Sequence, residues 1–287
     1  MKIFIAGSTG LLGRHLTEYL STKKYDVVSH GFSKNADIVS DLTIPNETMD
    51  VLDNVNPDVC INLICLSNVD KNEQDPNLAY RLNVLPIENI CEWKRLRSND
   101  CKIIQISTDH LYDGDGINSE NMLTMRNTYV LTKYAAELIA KYSDSLILRT
   151  NFFGKSRLDE RSSFSDWAED AIRNKKEIKL FDDVYFSPLW IQTLVEMIEH
   201  AFNNFVSGIY NLGSHGGMSK AGFIQQLSKV LNIPLENTQV VSVDSLGLVA
   251  RRPKGMMMNV EKFENTFNVT LPALETEIKN HINKTYW

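Results

Sequence analysis

Tyr129 and Lys133 stand four residues apart in Tyr129-Val130-Leu131-Thr132-Lys133, at the start of a stretch with helical spacing. On a helix, side chains at i and i+4 share a face one turn apart, so a phenol and an ammonium would stand together. A phenol, with an ordinary pKa of about 10, is a poor proton donor or acceptor near neutrality. A neighbouring cation favours the phenolate and draws the group toward a working range. The pattern alone is weak, because most such pairs are surface residues and Tyr134 and Lys141 offer the same groups nearby. It gains weight from Ser107-Thr108-Asp109, which ends an apolar run at 102–107 that reads as a strand. A hydroxyl there is ordinarily a turn former. At the carboxyl end of a sheet strand Thr108 can also donate to a reacting oxygen beside Tyr129.

A second group of residues points to a cofactor. Gly7-Ser8-Thr9-Gly10-Leu11-Leu12-Gly13 lies between a strand pattern, Lys2–Ala6, and a helix pattern at 11–20. In that order the first glycine makes a tight turn, the second admits a pyrophosphate to the backbone, and the third packs helix on strand. The helix start then offers free N–H groups and the positive end of its dipole. The spacing is G-x-x-G-x-x-G, and no Gly-Lys-Ser/Thr follows, which excludes a phosphate-loop NTPase. Thr9, Leu11 and Leu12 are candidate cofactor contacts with the three glycines, and Lys133 a candidate for the nicotinamide ribose. A carboxylate ending the second strand would bind the ribose of NAD; here Val28-Ser29-His30-Gly31-Phe32-Ser33-Lys34 has none before Asp37. Ser33 and Lys34 can hold a 2′-phosphate, although a single loop lysine is as often merely solvated. NADPH is the expected cofactor and NADH the alternative.

These groups need a scaffold, and the first half of the chain alternates strand and helix patterns. Strands are expected at Lys2–Ala6, 26–29, 58–65, 102–107 and Leu146–Thr150, and helices at 11–20, 78–96 and 129–142. The strands are near-continuously apolar, which argues for a parallel sheet covered on both faces. The expected fold is an α/β Rossmann-type doubly wound parallel sheet with a smaller C-terminal substrate-binding domain. We expect residues 1–151 to form the nucleotide-binding domain, with 188–206 returning to it, and 152–187 and 207–287 to form the substrate-binding portion. Helices at 189–205 and Lys220–Leu231 are expected in that less regular half.

Composition narrows the rest. At roughly 100–200 residues per domain, 287 residues make one large domain or two intimate ones. With 43% hydrophobic and 23% charged residues the chain is globular. The longest apolar run, 59–66, is broken by Asn62 and far short of the ~20 residues of a membrane span. A net charge of −6 argues against a nucleic-acid surface. The N-terminus enters a strand at once with no cleavage site, so a signal peptide is not expected and the Asn-x-Thr triplets at Asn46, Asn268 and Asn283 read as chance. The four cysteines form no C-x-x-C pair, which fits reduced thiols and a cytoplasmic location. Asp113-Gly114-Asp115-Gly116 lacks the later ligands of a calcium loop, and no histidine or cysteine cluster has zinc spacing, so no metal is expected.

Taken together these residues resemble the extended short-chain dehydrogenase/reductase superfamily and, within it, the dTDP-4-dehydrorhamnose reductase family. The family's Ser-Thr-Asp-Tyr-Val-Phe-x-Gly is present as Ser107-Thr108-Asp109-His110-Leu111-Tyr112-Asp113-Gly114. Its Tyr-Gly-x-x-Lys-x-x-x-Glu is present as Tyr129 to Glu137, its Arg-Thr-Ser-Trp-Val-Tyr as Arg149-Thr150-Asn151-Phe152-Phe153-Gly154, and its Arg-Arg-Pro as Arg251-Arg252-Pro253. Val69-Asp70-Lys71 through Asn83 is similar to its Val-Asp-x-x-Glu…Asn stretch. The resemblance implies a seven-stranded nucleotide-binding sheet, Tyr129 as proton donor, Lys133 as ribose ligand and Thr108 as the group that polarises a keto oxygen. It also implies that Asp41, Leu42, Cys65 and Leu66 lie around the cofactor, with Asp41 and Leu42 at the adenine.

The implied activity is NADPH-dependent reduction of the 4-keto group of a nucleotide-linked deoxysugar. A non-catalytic NADP-binding regulatory subunit of the same fold and a nucleotide-sugar epimerase are the alternatives, and a homodimer is left open. Phe152 stands where the family has a substrate-contacting tryptophan, and Asp183-Val184-Tyr185-Phe186-Ser187-Pro188-Leu189 where it has Asp-Gln-x-Gly-x-Pro-Thr. Three polar or small positions have become apolar, so the substrate need not be dTDP-linked. Asp109, Phe152, Tyr185 and Arg252 are the candidate substrate contacts, with Arg252 as a bidentate pyrophosphate clamp.

Overall fold

Lys2–Ala6 (β1) buries four of its five side chains and runs through the middle of a sheet. A computed structural model describes residues 1–32, 35–158 and 162–284. After β1 come α1 (Leu11–Ser21), β2 (Asp26–Gly31), β3 (Ile38–Val39), α2 (Pro45–Val55) and β4 (Val59–Asn62). Then follow α3 (Val69–Gln74), α4 (Pro76–Asn83), α5 (Leu85–Arg97), β5 (Lys102–Thr108), β6 (Ile117–Asn118), α6 (Thr128–Lys141), β7 (Leu146–Thr150) and β8 (Phe152–Phe153). The later part holds α7 (Phe164–Arg173), β9 (Ile178–Phe181), β10 (Tyr185–Phe186), β11 (Leu189–Trp190), α8 (Ile191–Asn203), β12 (Gly208–Leu212) and β13 (Met218–Ser219). It ends with α9 (Lys220–Leu231), β14 (Thr238–Val241), β15 (Gly255–Met258), α10 (Glu261–Phe267) and α11 (Leu274–Asn283).

The chain divides into two units. The first comprises residues 1–108, 126–149 and 195–210. Its seven-stranded sheet has the order β12-β7-β5-β4-β1-β2-β3, and β1 to β5 pair in parallel. The order reverses at β1, and ligands of such sheets bind at the carboxyl ends of the strands beside that point. Phe4, Leu52, Ile87, Trp93, Ile103 and Ile147 form part of one buried cluster. The single helix expected at 78–96 is two. Asn83 ends α4, Val84 caps α5, and Pro86 lies in its first turn. Proline cannot donate to the preceding turn and crowds its carbonyl, so a new helix starts there.

The second unit comprises residues 109–125, 150–194 and 211–287. Its sheets are small: β13-β10-β15-β6, with β10 antiparallel to β13 and parallel to β15, and two-stranded β9–β14 and β8–β11. Aromatic packing supplies much of the core. The Phe153 and Phe223 rings meet edge-on at 4.9 Å, and Phe164 and Phe186 pack against Phe223. Helix α7 starts with a reciprocal cap, in which Ser163 Oγ accepts from the Asp166 amide and Asp166 accepts from the Ser163 amide.

Candidate active site

The glycine loop follows β1 directly. Gly7 takes φ +82°, a left-handed value that favours glycine, and the Gly7 and Ser8 amides donate to the His30 carbonyl of β2 at 3.1 and 2.8 Å. A Cβ on Gly13 would stand 2.5 Å from the Gly7 carbonyl oxygen, so α1 lies on the loop only because that side chain is missing. Gly10 differs: its Cβ would meet nothing closer than 3.4 Å, an ordinary contact. Gly10 is also the N-cap of α1 and gives no side-chain cap, which leaves the helix's first N–H groups for another acceptor. A loop that keeps open space at its middle glycine and uncapped amides behind it fits a dinucleotide's pyrophosphate.

A groove runs from this loop. Gly7, Thr9, Gly10, Asp41, Leu42 and Cys65 line it, joined by His30, Phe32, Leu82 and Pro86. The Asp41–Leu42 segment is held by hydrogen bonds to its surroundings. The Asp41 amide donates to Glu47, its carboxylate accepts from the Thr43 amide, and the Leu42 carbonyl accepts from Thr48 and Asn89. Burial lowers the His30 pKa and keeps the ring neutral. With the Gly7 amide facing Nδ1 at 3.4 Å, Nε2 is the protonated nitrogen and donates to the Ser40 carbonyl at 3.1 Å. The first carboxylate after β2, Asp37, is engaged by Ser29, whose amide and hydroxyl both donate to it. Leu12 is buried on α1, behind the loop. Leu66 donates to Asn83 Oδ1 and its carbonyl accepts from Asn72, which fixes the backbone beside Cys65. Ser33 and Lys34 lie outside the described residues.

Thr108, Tyr129 and Lys133 all belong to the first unit, and all are buried. Helix α6 starts from Asn127, whose side chain accepts from the Val130 amide, so Tyr129 sits in the first turn. The Lys133 ammonium donates to the Ile106 carbonyl at 2.7 Å, two residues before Thr108 on β5. One turn further along α6, Glu137 makes a two-bond ion pair with Arg149 of β7, with Nη2–Oε2 at 2.6 Å and Nε–Oε1 at 2.9 Å. Ser107 Oγ donates to the same carboxylate. Both charges are fully buried. Residues 129, 133 and 137 thus form one stripe of α6, pinned to β5 at two points and to β7 at one.

In the second unit His110, Val184, Lys220, Arg252, Pro253 and Met256 help line a cavity. Of the expected substrate contacts, Arg252 is there. Asp109 is buried and accepts from Asn151 Nδ2 at 2.7 Å. Tyr185 is exposed on β10, next to Val184, and Phe152 is half-buried on β8 opposite Leu189. Of the three positions that depart from the family's loop, Phe186 and Leu189 are core residues and Val184 reaches the cavity wall.

The family described as RmlD substrate binding domain matches residues 1–287 of this sequence. The chain belongs to that family. It is 25% identical over 303 residues to a dTDP-4-dehydrorhamnose reductase of Shigella flexneri, covering all of this chain and 98% of the relative. Solved structures of dTDP-4-dehydrorhamnose reductases show the same fold. That of Clostridium acetobutylicum has a TM-score of 0.88 at 22% identity, and that of Bacillus anthracis, in complex with NADP, 0.88 at 24%; each match covers 99% of both chains. Membership in the RmlD substrate binding domain family accords with the seven-stranded Rossmann-type sheet.

Several residues that build the site in this family member escape sequence reading. His30, Asn89 and Thr48 hold the groove from three different elements, and no local pattern marks them. Asn83 donates to Asn72 and Thr132 while accepting from Leu66, tying α3, α4 and α6 together. Lys220 opens α9 as an ordinary-looking helix residue; only its place in the cavity distinguishes it.

Proposed function

We propose that this protein reduces the 4-keto group of a nucleotide-linked deoxysugar with NADPH. What carries the reading is the buried stripe of α6: Tyr129 one turn from Lys133, whose ammonium is held 2.7 Å from the Ile106 carbonyl beside Thr108, in the same unit as the glycine loop. The relatives' names extend it to sugar nucleotides. A bound nicotinamide supplies the hydride. Tyr129 gives its phenolic proton to the oxygen as negative charge develops there, and Thr108 donates a hydrogen bond to the same oxygen. Lys133 holds the ribose through its remaining donors and keeps a positive charge one turn from the phenol. Ser33 and Lys34 take the 2′-phosphate, consistent with Asp37 being occupied by Ser29. Arg252 binds the substrate's phosphates in the second unit.

The test is loss of absorbance at 340 nm with NADPH and a panel of nucleotide-linked 4-keto sugars. Tyr129→Phe should bind NADPH normally and lose about 10²–10⁴-fold in kcat. Near-normal turnover by that variant overturns the assignment of Tyr129. A wild-type protein that binds NADPH but oxidises it with no keto sugar favours a binding role instead.

A further inference from the structure

The cavity of the second unit brings two cationic side chains together. Lys220 and Arg252 both line it. The Lys220 ammonium lies 5.7 Å from the Phe164 ring centroid, and among the described residues it has neither a hydrogen bond nor an ion pair. Asp183 and Asp244 follow the cavity's walls, adjacent in sequence to Val184 and Val243, but both pair with Lys254, at 2.9 and 2.6 Å. Asp109, whose charge favours the charged form of Lys220, also accepts from Asn151. His110 contributes no charge at neutral pH, since burial, with Lys220 and Arg252 nearby, pushes it down to about 3. Burial and Arg252 likewise disfavour the charged form of Lys220, against the pull of Asp109.

The position of Lys220 is costly in a second way. It is the first residue of α9, whose N-cap is Ser219. A cation there faces the positive end of the helix dipole, where anions are favoured. Its main-chain N–H is already used by the Val184 carbonyl. A lysine held against a helix start, beside an arginine and in no ion pair among the described residues, fits an anion that arrives from outside. The apolar walls at Val184, Pro253 and Met256 would strengthen that attraction by excluding water.

We infer that Lys220 is a second cationic ligand, with Arg252, for the diphosphate of a nucleoside-diphosphate substrate, and that it sets a preference for a diphosphate over a single phosphate. Two cations can engage phosphates in sequence, whereas Arg252 alone grips one bidentately. The inference rests on the reading of the second unit as substrate-binding.

Calorimetric titration of the NADPH-loaded protein with inorganic pyrophosphate and with inorganic phosphate tests it; bound NADPH keeps both probes off the glycine loop. The wild type should bind pyrophosphate more tightly than phosphate. Lys220→Met should weaken pyrophosphate binding about tenfold, narrow its advantage over phosphate, and leave the NADPH Kd unchanged, while Lys220→Arg should restore most of the difference. Lys220→Gln gives the same reading if the methionine variant does not fold. Pyrophosphate binding as tight in Lys220→Met or Lys220→Gln as in the wild type overturns the inference, as does a wild type with no preference for pyrophosphate. Failure of the keto-sugar reading has a different signature: Lys220-dependent pyrophosphate binding persists, but no keto sugar supports NADPH oxidation.

Discussion

Gly10 and Gly13 sit three residues apart and are glycine for different reasons. A methyl group on Gly13 would collide with the Gly7 carbonyl and the Ser8 backbone, neither of which can move without dragging the first strand. Gly13→Ala should therefore cost about 1–3 kcal/mol of stability, an overpacking penalty, visible as a lower urea midpoint. Gly10→Ala meets only ordinary contacts and should lose much less, no more than the difference between glycine and alanine at an N-cap. It should still raise the NADPH Kd, because the added methyl occupies the space a pyrophosphate needs. Equal stability losses in the two variants would mean that the middle glycine is structural too. The need for all three glycines is legible in the sequence, since strand, loop and helix are consecutive there. Their separate reasons are not, because the atoms that crowd Gly13 and spare Gly10 are fixed only when α1 folds back on β1.

At the scale of elements, α6 is tied to β7 by a buried ion pair. Removing one partner of such a pair strands the other charge and typically costs 3–5 kcal/mol, while replacing both with apolar residues is often nearly neutral. Glu137→Leu alone should thus lower the urea midpoint sharply, and Glu137→Leu combined with Arg149→Met should recover most of the loss. A double variant as unstable as the single one would show that the Ser107 hydrogen bond, rather than stranded Arg149, is what matters. The sequence reading places α6 within a residue of its observed start, because Asn127 caps it and the apolar spacing is strong. It runs 78–96 together as one helix because apolar periodicity continues across Val84. The break needs Pro86 and the tertiary bonds of Asn83, and only the proline is local.

Across the whole molecule, the two units differ in how much of them a sequence reader can find. The first unit's strands, two-residue β3 apart, run for four or more residues with helices between most of them, and their alternation is legible. The second unit depends on two-residue strands such as β6, β8, β10 and β13, whose partners lie far along the chain: Met257 and Met258 pair with Ile117 and Asn118. Two residues carry no period to detect, whereas helix α7 is marked by the Ser163/Asp166 cap and by a buried face of Ala168, Ala171 and Ile172. A global property also follows from buried histidines. His110 is held down to about 3, and burial lowers His30 and His281 as well. A folded pKa below the unfolded value of about 6.5 gives stability that is present above that pH and lost as the pH falls toward the folded value. Stability should therefore decline from about pH 6.5 downward, by up to ~1.4 kcal/mol per pH unit for each such histidine. Glu277 works in the opposite sense, since burial raises its pKa and favours its protonated form. His110→Gln should flatten the fall of the urea midpoint between pH 6.5 and 5; an unchanged slope would assign the acid sensitivity to the other two rings.

The four thiols are not equivalent reagents. Burial raises Cys60 well above its ordinary value, Cys91 to about 11 and Cys101 to about 12, so all three are protonated and sheltered in the folded chain. Cys65 is half-exposed on the groove wall. A maleimide dye should consequently attach with a stoichiometry of one in the native protein and four in urea. Because that one attachment point lines the proposed dinucleotide groove, its labelling rate becomes a built-in occupancy gauge: saturating NADPH should slow it, and the slowing, followed against NADPH concentration, yields a binding curve with no substrate present.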